Sequence, residues 1–568
     1  SMKRISIAAL AALAAGCATP PPFSDYTANS GTPRSSAQAA LEFDKADLKL
    51  RIEPASHSLR GDATLTFGTR APLDRIELDL DRNLPIDAIA VDGQPLPATR
   101  WRNPDGKLTI DLPQRLEPGA HVVIRVAYHG APHVAKKAPW DGGFVWSHTP
   151  DGQPWVASAV EGEGCDVFWP CIDHPSGKAK VVDSHITVPA PLVAAGNGVA
   201  MGMDEANGWR TWHWHAKNPS TYGIAINVGP YKELDGTYLS RYGNTIPLRL
   251  WYLPQNEKKA QGLFAEFAPM LDFFESTIGP YPFGDEKMGV VETPHKGMEH
   301  QTINAYGNNY AKTAYGYDDL LQHEFAHEWF GNQLTNADWD DMWLHEGFGT
   351  YMQPLYMQSL RGDQEYYAAL LQMRSAIQNK APMVSGKPRR EADVYDIERG
   401  GPGQDIYNKG ALVLHTLRGL IGDTAFFGAV REEVYGTPDP RPGNFAPRYG
   451  TTPEFIAIVN RVSGRDLDWF FQVYLYQAAL PELQATRSGD TLALAWKTAG
   501  KTPFPMPVDV RVGQRIVTVP MTAGRGSIAL PAGATYTLDP HSKILRREER
   551  IEAFQAYREA QKKARPGA

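Results

Sequence analysis

His323-Glu324-Phe325-Ala326-His327, with Trp343-Leu344-His345-Glu346-Gly347 a short connection further on, is the stretch from which the rest of the chain can be read. On an α-helix, side chains at i and i+4 stand one above the other, so His323 and His327 offer two imidazole nitrogens to one point. Two ligands make a weak site. Glu346, nineteen residues beyond His327, supplies a third if the chain reverses and returns as a second helix, and Gly331-Asn332 is a helix-ending pair at the required place. Three such protein ligands, with a fourth position left for water, are the donor set of a catalytic zinc ion. Glu324, one residue past the first ligand, then points toward that water, where a general base belongs. The spacing predicts one zinc ion on His323, His327 and Glu346, with Glu324 catalytic. The bland alternative is an amphipathic helix carrying two satisfied polar histidines, and it leaves Glu346 without a role. His345, next to Glu346, is expected to point away from the metal, because neighbouring helix positions are about 100° apart.

Composition sets the outer limits. At 568 residues and 42 % hydrophobic, the chain exceeds what a single core organises and implies several domains. A formal charge of −7 provides no basic footprint, which argues against nucleic acid as a partner. Lys3-Arg4, an apolar run from Ile5 to Ala15 and Gly16-Cys17 read as an export signal over residues 1–17. Leu13-Ala14-Ala15-Gly16-Cys17 resembles a bacterial lipoprotein signal, with Ala14 departing from its pattern. The resemblance implies a lipid anchor at Cys17 and a place in the periplasm or cell envelope, as an outer-membrane lipoprotein. Cys165 and Cys171 remain, and two readings stay open for them: a disulfide, or two small buried apolar side chains.

The chain divides by its periodicity. Residues 18–37, rich in Pro, Ser, Thr and Gly, read as a flexible linker. From 38 to 238, period-two runs such as Arg75-Ile76-Glu77-Leu78-Asp79-Leu80 and His121-Val122-Val123-Ile124-Arg125-Val126, punctuated by Asp92-Gly93, Asp105-Gly106 and Asn197-Gly198, predict a β domain. Residues 239–481 switch to helical spacing, notably over 258–278, 318–330, 349–360, 409–421 and 453–476. Alternation returns over 482–546 in Leu492-Ala493-Leu494-Ala495-Trp496 and Val508-Asp509-Val510-Arg511-Val512, which predicts a small β-sandwich, and 547–568 is a charged helix or tail. The fold class is multidomain α+β.

Further motifs fall in a recognisable order. Lys296-Gly297-Met298-Glu299-His300 precedes the metal helix and leads into Gln301-Thr302-Ile303-Asn304, expected as an edge strand; Trp169-Pro170-Cys171-Ile172-Asp173-His174-Pro175 lies upstream, and Tyr407-Asn408-Lys409-Gly410 downstream. Together with the zinc motif, these resemble the aminopeptidase N family of zinc metallopeptidases from about residue 40 to 480. That family has a Gly-x-Met-Glu-Asn segment, a Phe-Pro-Cys-x-Asp-Glu-Pro hallmark and a Tyr-Glu-Lys-Gly segment. Here Lys296, His300, His174 and Asn408 are departures, and Ala159 stands where the family has a Gln.

The resemblance implies a saddle-like β-rich N-terminal domain, a thermolysin-like catalytic domain and a β-sandwich. It also implies that Glu299, with Gly297 and Met298 beside it, binds the free amino group of a peptide, that Glu161 is a second acid there, and that the Tyr407 hydroxyl stabilises the transition state. Only about twenty residues follow the sandwich where family members can carry a long helical domain, so a more open cleft tolerant of longer peptides is expected. The function so implied is zinc-dependent removal of N-terminal residues from peptides. The alternatives are a thermolysin-type zinc endopeptidase indifferent to a free amine, an epoxide hydrolase using the same site, and a peptide-binding protein without turnover.

Overall fold

The computed structural model of the protein describes residues 23–443 and 445–565. The export-signal segment and Cys17 lie outside the described residues. The N-terminal region is built on an eight-stranded mixed sheet in which Leu41–Glu53 pairs antiparallel with Ser58–Thr69 and parallel with Val181–Pro189. The first strand explains how alternation can change phase: Leu41 and Phe43 are buried, then Ala46, Leu48, Leu50 and Ile52, because the register slips between Phe43 and Lys45. An extra residue at such a bulge swaps the faces of everything after it. A four-stranded and a three-stranded sheet complete the region, and Cys165 and Cys171 are disulfide-bonded with their Cα atoms 6.3 Å apart.

Residues 23–37, expected as part of a linker, are packed instead. Short helices at Asp25–Ala28 and Ser36–Ala39 are capped by Ser24 and Ser35, and Thr27, Ser30 and Gln38 are buried. Ser30 Oγ donates to Asp173 (2.7 Å) and Gln38 Nε2 donates to Asp79 (3.1 Å). A polar composition reads as solvated only when its partners are water; here they are buried carboxylates of the β region.

The catalytic region opens earlier than periodicity suggests. Lys232–Leu239, counted with the first domain, pairs with Thr245–Tyr252 in a separate five-stranded sheet that continues through Met288–Glu292 and Asn304–Tyr306 to Gly297–Met298 at its edge. Alternation reveals a strand but not the sheet it joins. The edge strand is Gly297–Met298, paired with Tyr306 and Ala305, whereas Gln301-Thr302 turns, with Thr302 at φ 59°. Lys296 therefore does not displace the strand.

Asp319–Trp329 packs on this sheet, Trp343–Arg361 packs on Asp319–Trp329, and Asp405–Ile421 packs on Trp343–Arg361. The predicted span 258–278 is two helices, Glu257–Phe264 and Phe267–Thr277, and 453–476 is likewise Thr452–Ser463 and Asp468–Tyr474. Two three-stranded sheets enclose Leu492, Leu494, Val508, Val510, Val519 and Leu530 as the small C-terminal β unit. The helix Glu549–Lys563 buries none of its residues and touches the body where Gln555 Nε2 donates to Ser375 O and Ile377 O.

Candidate metal centre

Asp318 caps the two-histidine helix by accepting from Leu321 N (3.0 Å), and the helix stops at Phe330. Gly331 then adopts φ 127° and its N–H donates to Leu334 O (2.7 Å), reversing the chain. A side chain there would be strained and would also collide with His345, whose Nε2 lies 2.3 Å from the position of a Cβ. The returning helix, Trp343–Arg361, carries Glu346 in its first turn. It packs on the Tyr407 helix through Gly347, where a Cβ would sit 3.1 Å from Gly410 Cα. Two helices thus approach closely enough for their side chains to share one cleft.

Those side chains converge. His323 Nε2 and His327 Nε2 are 3.0 Å apart, and Glu346 Oε2 lies 3.3 Å from His327 Nε2 and 3.9 Å from His323 Nε2. Ligands about 2.0–2.1 Å from a tetrahedral zinc ion are separated by roughly 3.3 Å, so the trio has the required size. His327 Nδ1 faces Phe330 O at 2.8 Å and must carry the hydrogen, which leaves the Nε2 lone pair for a metal. Glu346 Oε2 is buried and accepts no hydrogen bond. An unsatisfied carboxylate oxygen facing two imidazole nitrogens fits a divalent cation. Other compact trios, Glu299–His345–Glu346 and Glu299–Glu324–His327, overlap this one. Glu299, common to both, already accepts from Tyr222 Oη (2.8 Å), so His323, His327 and Glu346 make the better ligand set.

A cleft of about 700 Å³ runs past this centre. Glu161, Gly297, Met298, Glu299, His323, Glu324, Glu346 and Tyr407 line it, and His327 is buried behind. All the residues singled out from the sequence are therefore brought together. Glu324 Oε2 is buried and without a partner, and burial followed by the charge of Glu299 raises its carboxyl well above the usual range. Gly297 leaves Glu324 room, since a Cβ there would stand 3.1 Å from Glu324 Oε1. His345 is turned from the ligand trio to Glu299, with Nε2 3.4 Å from Oε1.

Glu299 and Glu161 behave as a pair. Burial alone would raise Glu299, but His327 and His345 outweigh it and hold its carboxyl well below the usual carboxylate range. Burial and then the charge of Glu299 push Glu161 well above that range. The opposite directions are what two acids sharing a low-dielectric site favour. Tyr407 Oη is 2.8 Å from Tyr395 Oη, and burial, then Glu346, raises the Tyr407 hydroxyl, keeping it a donor.

Four neighbours have no local signal in the sequence. Tyr222 holds Glu299, Tyr395 holds Tyr407, and Asn332 Nδ2 donates to Glu299 O (2.9 Å) and to Glu328. Glu391 is the fourth, lining the cleft from the helix Glu391–Tyr395. The sequence reading used Asn332 only as a helix terminator.

Fold and ligand set together are those of a zinc metallopeptidase built on a two-histidine helix and a returning glutamate helix. Family models place it further: the Peptidase M1 N-terminal domain matches residues 42–222 and the Peptidase family M1 domain matches residues 268–474, so the chain belongs to peptidase family M1. The M1 zinc metallopeptidase of Deinococcus radiodurans, in a crystal structure with a Tyr-Ser-Ala substrate, superposes with a TM-score of 0.65 at 28 % identity, covering 80 % of this chain and 98 % of that one. Leucine aminopeptidase 2 of Vanderwaltozyma polyspora is 24 % identical over 471 residues, which are 78 % of this chain and 66 % of that protein. Tricorn protease-interacting factor F2 of Thermoplasma acidophilum is 23 % identical over 469 residues, which are 79 % of this chain and 56 % of that protein. The chain thus spans part of the length of these curated relatives.

Proposed function

We propose that the protein is an aminopeptidase that hydrolyses the first peptide bond of substrates with a free N-terminus. The observation that carries this is the Glu299–Glu161 pair in the wall of the cleft, with Glu299 one residue past the edge strand and both in the cavity that the metal ligands line. An endopeptidase, which meets no free amine, needs no acidic pair to hold one. A peptide's α-ammonium, which titrates near ~7.7 to 8.0, arrives charged and is matched by the pair. Zinc held by His323, His327 and Glu346 would supply Lewis acidity and an acidified water. Glu324 accepts the proton of the attacking water and returns it to the departing amine, and its partnerless oxygen is free to do both. Tyr407 donates to the carbonyl oxygen as that oxygen gains charge. The unpaired side of Gly297–Met298 offers backbone groups along which an extended peptide can lie.

The names of relatives support the reading, several being called aminopeptidases. The test compares one peptide with its N-acetylated form on the zinc-loaded enzyme. Cleavage of the free peptide alone is expected. Equal cleavage of both would identify an endopeptidase and overturn the proposal.

A further inference from the structure

The cleft holds acid that this reaction does not use. Glu391 is 8 % exposed, and among the described residues its carboxylate has no ion pair and no hydrogen bond. It is firmly placed: Glu391 N donates to Ser30 O (3.0 Å), and Ser30 N donates to Gly162 O (2.9 Å). The carboxylate lies against Gly162, where a Cβ would come within 2.8 Å of Glu391 Oε2. Glu163, next on the same segment, lines the cleft too and has a buried, partnerless Oε2. Among the described residues lining the cleft, Lys296 is the one lysine or arginine, and it is exposed.

The Glu391 carboxylate faces the cleft with no protein partner, which leaves it open to a cationic partner that enters there. The substrate's α-ammonium is not that partner, being matched by Glu299 and Glu161. Gly162 follows Glu161, and one step along the chain is about 3.8 Å. Glu391 therefore lies on the same stretch of cleft wall as Glu161. We propose that Glu391, assisted by Glu163, selects substrates whose first residue is arginine or lysine. This rests on the aminopeptidase reading. Selection works in both directions: a guanidinium forms paired, charge-assisted hydrogen bonds to the carboxylate, whereas a leucine side chain covers an acid it cannot satisfy.

The zinc-loaded enzyme is assayed for kcat/KM on X-Ala dipeptides with X as arginine, citrulline, lysine or leucine. Citrulline has the size of arginine without its charge. We expect arginine to exceed citrulline by at least about tenfold, Glu391→Gln to bring the ratio to within about threefold through a higher KM for arginine, and Glu391→Asp to retain much of the preference. Equal rates for arginine and citrulline in the wild type, a ratio that needs no variant, would overturn the inference while leucyl cleavage left the aminopeptidase reading intact. A fall in all four substrates by the same factor in Glu391→Gln would also overturn it, showing a structural role. Failure of every free-amine substrate would remove both readings.

Discussion

Replacing Tyr407 by Phe removes one hydroxyl from the cleft and little else. The ring sits in a partly buried wall and packs against the core, so it should keep its place when its hydrogen bond to Tyr395 is lost. Loss of a single donor to a developing oxyanion lowers kcat by about 10²- to 10³-fold. The lower figure is expected, because an entering water replaces part of the lost interaction. KM should change by less than about threefold, since Glu299 is untouched and the hydroxyl is used mainly in the transition state. Tyr395→Phe removes only an orienting hydrogen bond, worth about 1 kcal/mol, and should lower kcat about fivefold. If Tyr395 acts through Tyr407, the double variant is scarcely slower than Tyr407→Phe alone. The assay is steady-state turnover of a leucyl substrate with zinc content measured in each sample. A Tyr407→Phe enzyme with full zinc and kcat within about threefold of wild type would refute the role, as would a loss confined to KM.

Two further outcomes follow from the same geometry. Glu324→Gln should lower kcat by about 10²- to 10⁴-fold while keeping one zinc per chain by elemental analysis, because Glu324 is not a ligand; undiminished cleavage would exclude it as the proton carrier. Lys178 is buried and donates to Asn332 O (2.9 Å), and burial pushes its amine down to about 7. Between that value and the ordinary 10.5, the unfolded chain holds a proton that the folded chain lacks, so this residue's contribution to stability rises with pH by up to about 1.4 kcal/mol per unit and is flat below it. Lys178→Met should accordingly stabilise the protein most near pH 6, with the gain shrinking toward pH 9; denaturant melts showing a pH-independent difference would contradict this.

The metal centre was legible because its information is local. Residues at i and i+4 on one helix and a glutamate after a single reversal need no knowledge of the rest of the chain. Glu299, Glu161 and Tyr407 could be found only through motifs borrowed from a family, since nothing in their own spacing points to a cleft. Tyr222, Tyr395, Asn332 and Glu391 could not be found at all, because what each meets is decided by the fold and not by its neighbours in sequence. Tyr222 and Glu299, for instance, are separated by 77 positions. The strand Lys232–Leu239 alternates in the same way whichever sheet it joins, and its assignment depended on a pairing that periodicity does not encode. Residues 23–37 misled for a different reason. Their polar side chains are satisfied by protein, and composition does not record who the partner is.

That same amino-terminal stretch has a practical consequence. Ala28 and Asn29 form part of the cleft wall, Arg390 pairs with Asp25 (3.0 Å), and the indole of Trp339 lies against Gly31. A purification handle, surface attachment or fusion partner placed ahead of residue 23 would adjoin a stretch that forms part of the mouth of the active centre. One placed after the exposed helix Glu549–Lys563 would not. Kinetic comparisons between differently tagged preparations should therefore be made on carboxyl-terminal tags, or the tag itself becomes an unrecognised variable.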